Sequence, residues 1–264
     1  GGNNETWWPM NGHPRFGYQE GITKEAQRLG SRAKLLKQAE DGVPFDERKF
    51  GKGQGLRPQL VNFVRSERIL IQGVKMLNSP FWVIHPLLSK NITVDGVYVW
   101  NEGPNGDGCD PEACENVLIQ NCTYGRVHGC LTLGSESIKD RNIVLRNIKV
   151  GNAQRVLWLK MRPDTPQHYE YVTVDNIQGK TGSFLVIRPW TQFFKPGDRK
   201  DMPLSQCNNI TMKNIQMDCD NFFDVGTSDK YRLVDFTFEN INCTDKKMAF
   251  DANLIENTVA KKVN

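Results

Sequence analysis

The sequence predicts an all-β chain wound as a right-handed parallel β-helix, with a partly helical N-terminal flank. Three observations predict it. A short pattern recurs through most of the chain, its apolar residues alternate, and Asn or Gly falls at one fixed place in nearly every copy.

The pattern reads Arg68-Ile69-Leu70-Ile71-Gln72-Gly73-Val74 and then Asn91-Ile92-Thr93-Val94-Asp95-Gly96-Val97. It returns from Asn116, Asn142, Tyr171, Asn209 and Asp235, with a degenerate copy from Asn257. Its first apolar positions are 69, 92, 117, 143, 172, 210 and 236, so the steps are 23, 25, 26, 29, 38 and 26 residues. At a rise of about 3.3 Å per residue, such a step is too long for one strand and suits a coil of two or three short strands joined by bends. Alternation of apolar residues is the mark of a strand with one buried face. Asn and Gly tolerate the left-handed backbone that a sharp bend requires, and stacked Asn side chains can hydrogen-bond from coil to coil. Leucine-rich repeats need a Leu-x-x-Leu-x-Leu frame and helical repeats a 3.6-residue period, and neither is present. A single coil cannot cover its own apolar face, whereas a stack can.

Residues 1–60 lack the repeat and are set apart as a flank or cap, with the β-helix over 61–264. Lys24 to Ala39 is rich in Ala, Leu, Lys, Gln and Arg, good helix formers, and predicts a helix there. The long step of 38 holds Pro189 to Asp198, read as a loop insertion of the kind that shapes a solenoid's binding face.

The composition narrows the function. A formal net charge of +4 is mild and lacks the basic footprint of a nucleic-acid binder. No run of roughly 18 or more apolar residues suggests a membrane span. The start, Gly1 to Trp8, is not a signal peptide, so secretion or export to the periplasm would rest on a leader not present in this chain. The seven cysteines are odd in number and form no Cys-x-x-Cys pair, so they are read as small buried hydrophobes, with no metal site and no cofactor expected. Four Asn-x-Ser/Thr matches, at Asn91, Asn121, Asn209 and Asn242, are read mainly as by-products of the repeat.

Asn105-Gly106-Asp107-Gly108-Cys109-Asp110-Pro111 resembles the Asn-Thr-Asp-Gly-x-Asp motif of glycoside hydrolase family 28, the polygalacturonases. Three further segments resemble that family in the right order: Trp7-Trp8, then Val127-His128-Gly129 with Leu133-Gly134-Ser135-Glu136, then Trp158-Leu159-Lys160 at the place of its Arg-Ile-Lys. The resemblance implies an inverting hydrolase of galacturonan or rhamnogalacturonan, acting as a monomer on pectic polysaccharide. Such chemistry needs one carboxylic acid to protonate the leaving oxygen and one carboxylate to activate water. The resemblance places Asp107 among the water-activating aspartates, His128 in support of the acid or the sugar, and Lys160 on the substrate carboxylate. Asp110 is a candidate to replace an acid in part. Arg162 and Arg188 suit anionic sugars, because a guanidinium makes two parallel bonds to a carboxylate. Trp158 and Trp190 are candidate stacking platforms.

The sequence also departs from the family. Between the Asp107 motif and His128 the family normally carries one more coil with Gly-Asp-Asp, the source of the general acid and a second base. Here Asn121 to His128 runs straight through, and no adjacent Asp-Asp pair occurs anywhere in the chain. Trp158 also stands where the family has Arg. The expectation is a polygalacturonase-type hydrolase that is weak or inactive in this form. The alternatives are a non-catalytic galacturonan-binding β-helix and, less favoured, a calcium-dependent pectate lyase.

Overall fold

The computed structural model describes residues 31–50, 56–134, 137–191, 200–247 and 250–264. Trp7-Trp8, Ser135-Glu136, the first turns of the expected helix and residues 192–199 of the insertion lie outside the described residues. Within them, helix α1 runs Ser31–Glu40.

The first three coils are built from short strands: β1 (Val61–Val64), β2 (Glu67–Gln72), β3 (Lys75–Leu77), β4 (Ile84–Leu87), β5 (Lys90–Asp95), β6 (Tyr98–Trp100) and β7 (Glu115–Gln120). The later coils run through their corners as longer strands: β8 (Thr123–Leu133), β9 (Lys139–Met161), β10 (His168–Pro189), β11 (Ser205–Val225), β12 (Tyr231–Asp245) and β13 (Val259–Val263). One sheet stacks them in the order β13-β12-β11-β10-β9-β7-β5-β2, and each pairing is parallel. A second wall follows β3, β6, β8 and β9. A third links Ile84, Cys109, Leu131, Leu157, Leu185 and Phe223. The result is a parallel β-solenoid of about seven turns, right-handed as parallel crossovers are.

The repeat explains the core. Ile92, Val117, Ile143, Val172, Ile210 and Phe236 share one register, and all are buried. Val94, Ile119, Leu145, Val174, Met212 and Phe238 form the adjoining column. Each fully buried Ile, Leu or Phe contributes on the order of 1.5–3 kcal/mol, and that gain exists only when another coil lies above and below. Six of the seven cysteines are buried, and Cys243 is half-buried.

The fixed Asn and Gly positions sit at the bends. Gly73, Gly96, Asn121, Asn147, Asn176, Asn214 and Asn240 all have positive φ. The other end of each short strand turns the same way at Arg68, Asn91, Asn116, Asn142, Tyr171, Asn209 and Asp235. The amides also form ladders. Asn121 Nδ2 donates to Asp95 (2.8 Å), Asn147 to Asn121 (3.1 Å) and Asn176 to Asn147 (2.9 Å). On the other bend Asn116 donates to Asn91 (3.0 Å) and Asn142 to Asn116 (2.8 Å).

Asn147 separates the two roles of these residues. Asn147→Ala loses two ladder bonds and keeps a Cβ in left-handed backbone, which costs about 1–2 kcal/mol for a residue without asparagine's local hydrogen bonding; Asn147→Gly loses the bonds and sheds the Cβ. The alanine variant is expected to be the less stable, by about 1 kcal/mol or more. Denaturant unfolding of the pair would measure the gap, and equal stabilities would refute the role assigned to the bend.

Candidate functional site

The loop after β6 carries Asp107 into the stack between two coils. Val83 N–H donates to the Asp107 carbonyl below it (2.9 Å). From above, His128 N–H donates to the Gly106 carbonyl (3.2 Å). The Asp107 and His128 side chains thus meet on adjacent coils, with Nδ1 of His128 2.8 Å from Oδ1 of Asp107. Gly129 makes that approach possible. A Cβ there would lie 3.0 Å from Asp107 Oδ1 and 2.7 Å from Thr132 Oγ1.

The next coil brings β9 against β8 in register. Gly129 faces Arg155, Thr132 faces Trp158 and Leu133 faces Leu159. Arg155 Nη1 therefore lies 3.1 Å from His128 Nε2. Its guanidinium stacks over the Trp158 ring at 3.9 Å, and the His128 ring meets Trp158 edge-on at 5.5 Å. Lys160 is 5 % exposed. Its Nζ lies 4.2 Å from the Trp158 ring centre and 4.8 Å from that of Trp190. An ammonium over aromatic rings gains about 0.5–2 kcal/mol, more as it is desolvated. Among the described residues no carboxylate pairs with it.

Asp107 is 1 % exposed. Burial pushes its carboxyl up. The hydrogen bond with His128 and the positive charges of Lys160 and Arg155 outweigh that and hold it below the usual range. Asp107 Oδ2 is buried and accepts no hydrogen bond from the protein. The carboxylate therefore stays ionised, with one oxygen bonded to His128 and the other buried and unpartnered among the described residues.

Beside this group lies a cleft of about 550 Å³, walled by Arg155, Trp158, Arg188, Trp190, Asp220 and Asp224. Arg188 stands in register above Lys160 and is held by Asp224, with Nε 2.9 Å from Oδ1. Arg155 and Trp158 line the cleft and also contact His128, so they join it to the Asp107–His128 pair; Lys160 does not line it.

The fold thus brings Asp107, His128, Trp158, Lys160, Trp190 and Arg188 to one face. Two candidates differ. Asp110 is 0 % exposed and close enough to Cys109 and Tyr124 to help push both upward, after burial itself; the contacts joining the other residues do not run through it. Arg162 does not line the cleft and is gripped by Asp164 through two bonds of 2.7 and 2.6 Å. Sequence reasoning did not single out Arg155. The signal was the repeat itself: the 26-residue step from 117 to 143 also carries 129 onto 155.

Comparisons with known proteins bear on the fold and on the family likeness. Residues 46–155 match the family model described as glycosyl hydrolases family 28. A probable polygalacturonase of Vitis vinifera is 34 % identical over 87 residues, which is 32 % of this chain and 18 % of the relative. A probable exopolygalacturonase B of Aspergillus flavus is 24 % identical over 214 residues, 71 % of this chain and 46 % of the relative. The crystal structure of a hyperthermoactive exopolygalacturonase from Thermotoga maritima superposes with a TM-score of 0.68 at 26 % identity, covering 98 % of this chain and 66 % of that one. The chain spans less than half the length of the two curated relatives. Its β-solenoid, its matched segment and its relatives together make this chain similar to the polygalacturonases of glycosyl hydrolases family 28.

Proposed function

We propose that this chain binds a galacturonan-type pectic polysaccharide along the Trp158–Trp190 face and hydrolyses it at a residual rate. The observation that carries the reading is the ionised Asp107 carboxylate, with one buried oxygen unpartnered, beside a cation that lacks a carboxylate partner, both among the described residues. Lys160 takes the sugar's carboxylate, the indole rings of Trp158 and Trp190 stack on sugar rings, and Arg188 extends the cationic wall. Asp107 accepts a proton from the attacking water, the base half of an inverting hydrolysis. His128 holds Asp107 in place. Asp110 is as deeply buried as Asp107, it is Asp107 that meets His128, and no adjacent Asp-Asp pair occurs, so the acid half lacks a dedicated donor. Losing general acid catalysis lowers rates by about 10² to 10⁴, and the expected turnover is correspondingly slow. Action on a wall polymer would place the protein outside the cell or in the periplasm; no helix among the described residues is long and apolar enough to cross a membrane.

The test is release of reducing ends from homogalacturonan and rhamnogalacturonan, by the parent and by Asp107→Asn. Slow release by the parent that disappears in the variant supports hydrolysis. No release by either, with binding intact, supports the second reading, a non-catalytic galacturonan-binding β-helix. That reading is favoured by the lack of an adjacent Asp-Asp pair. Lys160→Met is expected to weaken galacturonan binding by about tenfold to a hundredfold, the range of one charge-assisted bond. It should also flatten the salt dependence. Affinity electrophoresis at two ionic strengths measures both, and a Lys160→Met chain that binds like the parent would remove the anchor from the proposal.

A further inference from the structure

We propose that Arg155 is a positioning residue that fixes His128 as the neutral imidazole protonated on Nδ1, and so directs that proton at the Asp107 carboxylate. Two distances carry this. Arg155 Nη1 is 3.1 Å from His128 Nε2, and His128 Nδ1 is 2.8 Å from Asp107 Oδ1. A guanidinium nitrogen only donates, so Nε2 must be the acceptor. A neutral imidazole carries one N–H, which then sits on Nδ1 and donates to Asp107. The imidazolium would set an N–H against an N–H and a positive charge beside another at 3.1 Å. The reversed tautomer would do the same at Nε2 and leave Nδ1 facing a carboxylate without a proton.

The surroundings reinforce the order. Arg155 is clamped over the Trp158 ring at 3.9 Å and stands in register between Gly129 and Ser183, so its head cannot easily turn away. The charged groups around it are Asp107 and Asp224. Asp224 is shared with Arg188, and Lys160 adds positive charge at Asp107. Arg155 therefore faces Nε2 as a donor on one side, while Asp107 faces Nδ1 as an acceptor on the other. The catalytic consequence rests on Asp107 being the water-activating group. With His128 held as a donor, Oδ1 is occupied and Oδ2 is the only oxygen left for water. The tautomer itself does not depend on that reading.

Selective ¹⁵N-histidine labelling tests the proposal in the intact chain, with the His128 signals identified by their loss in His128→Gln. In the parent at neutral pH, Nδ1 is expected at a protonated-type shift and Nε2 at a bare, pyridine-type shift. In Arg155→Met the Nε2 signal is expected to move toward the protonated range, and Arg155→Lys, which keeps a donor, should recover the parental pattern at least in part. A parent with a bare Nδ1, or with both nitrogens protonated, overturns the proposal. So does an Arg155→Met spectrum identical to the parent's. If the methionine variant does not fold, the parent spectrum and the lysine variant decide. A chain that releases no reducing ends but shows the Nδ1–H signature would defeat the hydrolase reading and leave this one standing.

Discussion

Inserting one coil that carries an adjacent Asp-Asp pair between Cys122 and Thr123 is expected to raise reducing-end release from galacturonan by about 10² or more over the parent. The site of insertion follows from register. Thr123 sits beside Tyr98 on one coil and Lys149 on the other, so a whole coil added before it shifts the upper stack by about 4.8 Å without turning any side chain to the wrong face. The contact between Asp107 and His128 would open, and the new carboxylates would enter the gap. Inverting hydrolysis needs two carboxyl groups roughly 6.5–9.5 Å apart, a range that groups one to two coil spacings apart can span. The measurement is a reducing-end assay beside circular dichroism. A folded insertion product that remains inert would remove the assigned role from this groove.

Gly179→Ala is expected to be the most damaging single methyl addition in the described structure. Gly179 has φ +134°, and a Cβ built on it would lie 1.8 Å from the Val150 carbonyl oxygen. The obstacle is backbone on the neighbouring coil, and the β9–β10 register shifts at this place. Relief requires parting two paired coils, so the loss should be about 4 kcal/mol or more, beyond the range of an ordinary substitution. Thermal unfolding or the soluble yield reports it. Gly73→Ala has the open space that Gly179→Ala lacks, with nothing within 4 Å of its Cβ, and shares only the positive φ of +65°; it should cost much less. Similar losses for the two would show that backbone strain, not the close approach, governs.

The contrast between these glycines shows what the chain's letters make legible. Gly73 belongs to the recurring pattern and could be read as a bend before any coordinates. Gly179 lies outside it, and its reason is a carbonyl 29 residues earlier in the chain, visible only when β9 and β10 are paired. The candidate site divides in the same way. Asp107, His128 and Lys160 were marked by residue type and motif. Their union was not, since it depends on which coil lands on which. Asp110 looked equivalent to Asp107 in the loop and is equally buried, yet it is Asp107 that meets His128 on the next coil. Arg162 looked like a free cation, yet Asp164 two residues away holds it.

The sequence by itself determined the solenoid, because each short strand's alternation and each bend's Asn or Gly are local demands, repeated until stacking was the one way to bury them. Tertiary structure alone decided the chemistry of the groove. It set Arg155 against His128, buried Asp107 with one oxygen unpartnered among the described residues and placed Lys160 over two indole rings. The physical reason is that hydrogen bonds and charges act over a few ångströms between coils, whereas the chain separates Asp107 from His128 by 21 residues and His128 from Arg155 by 27.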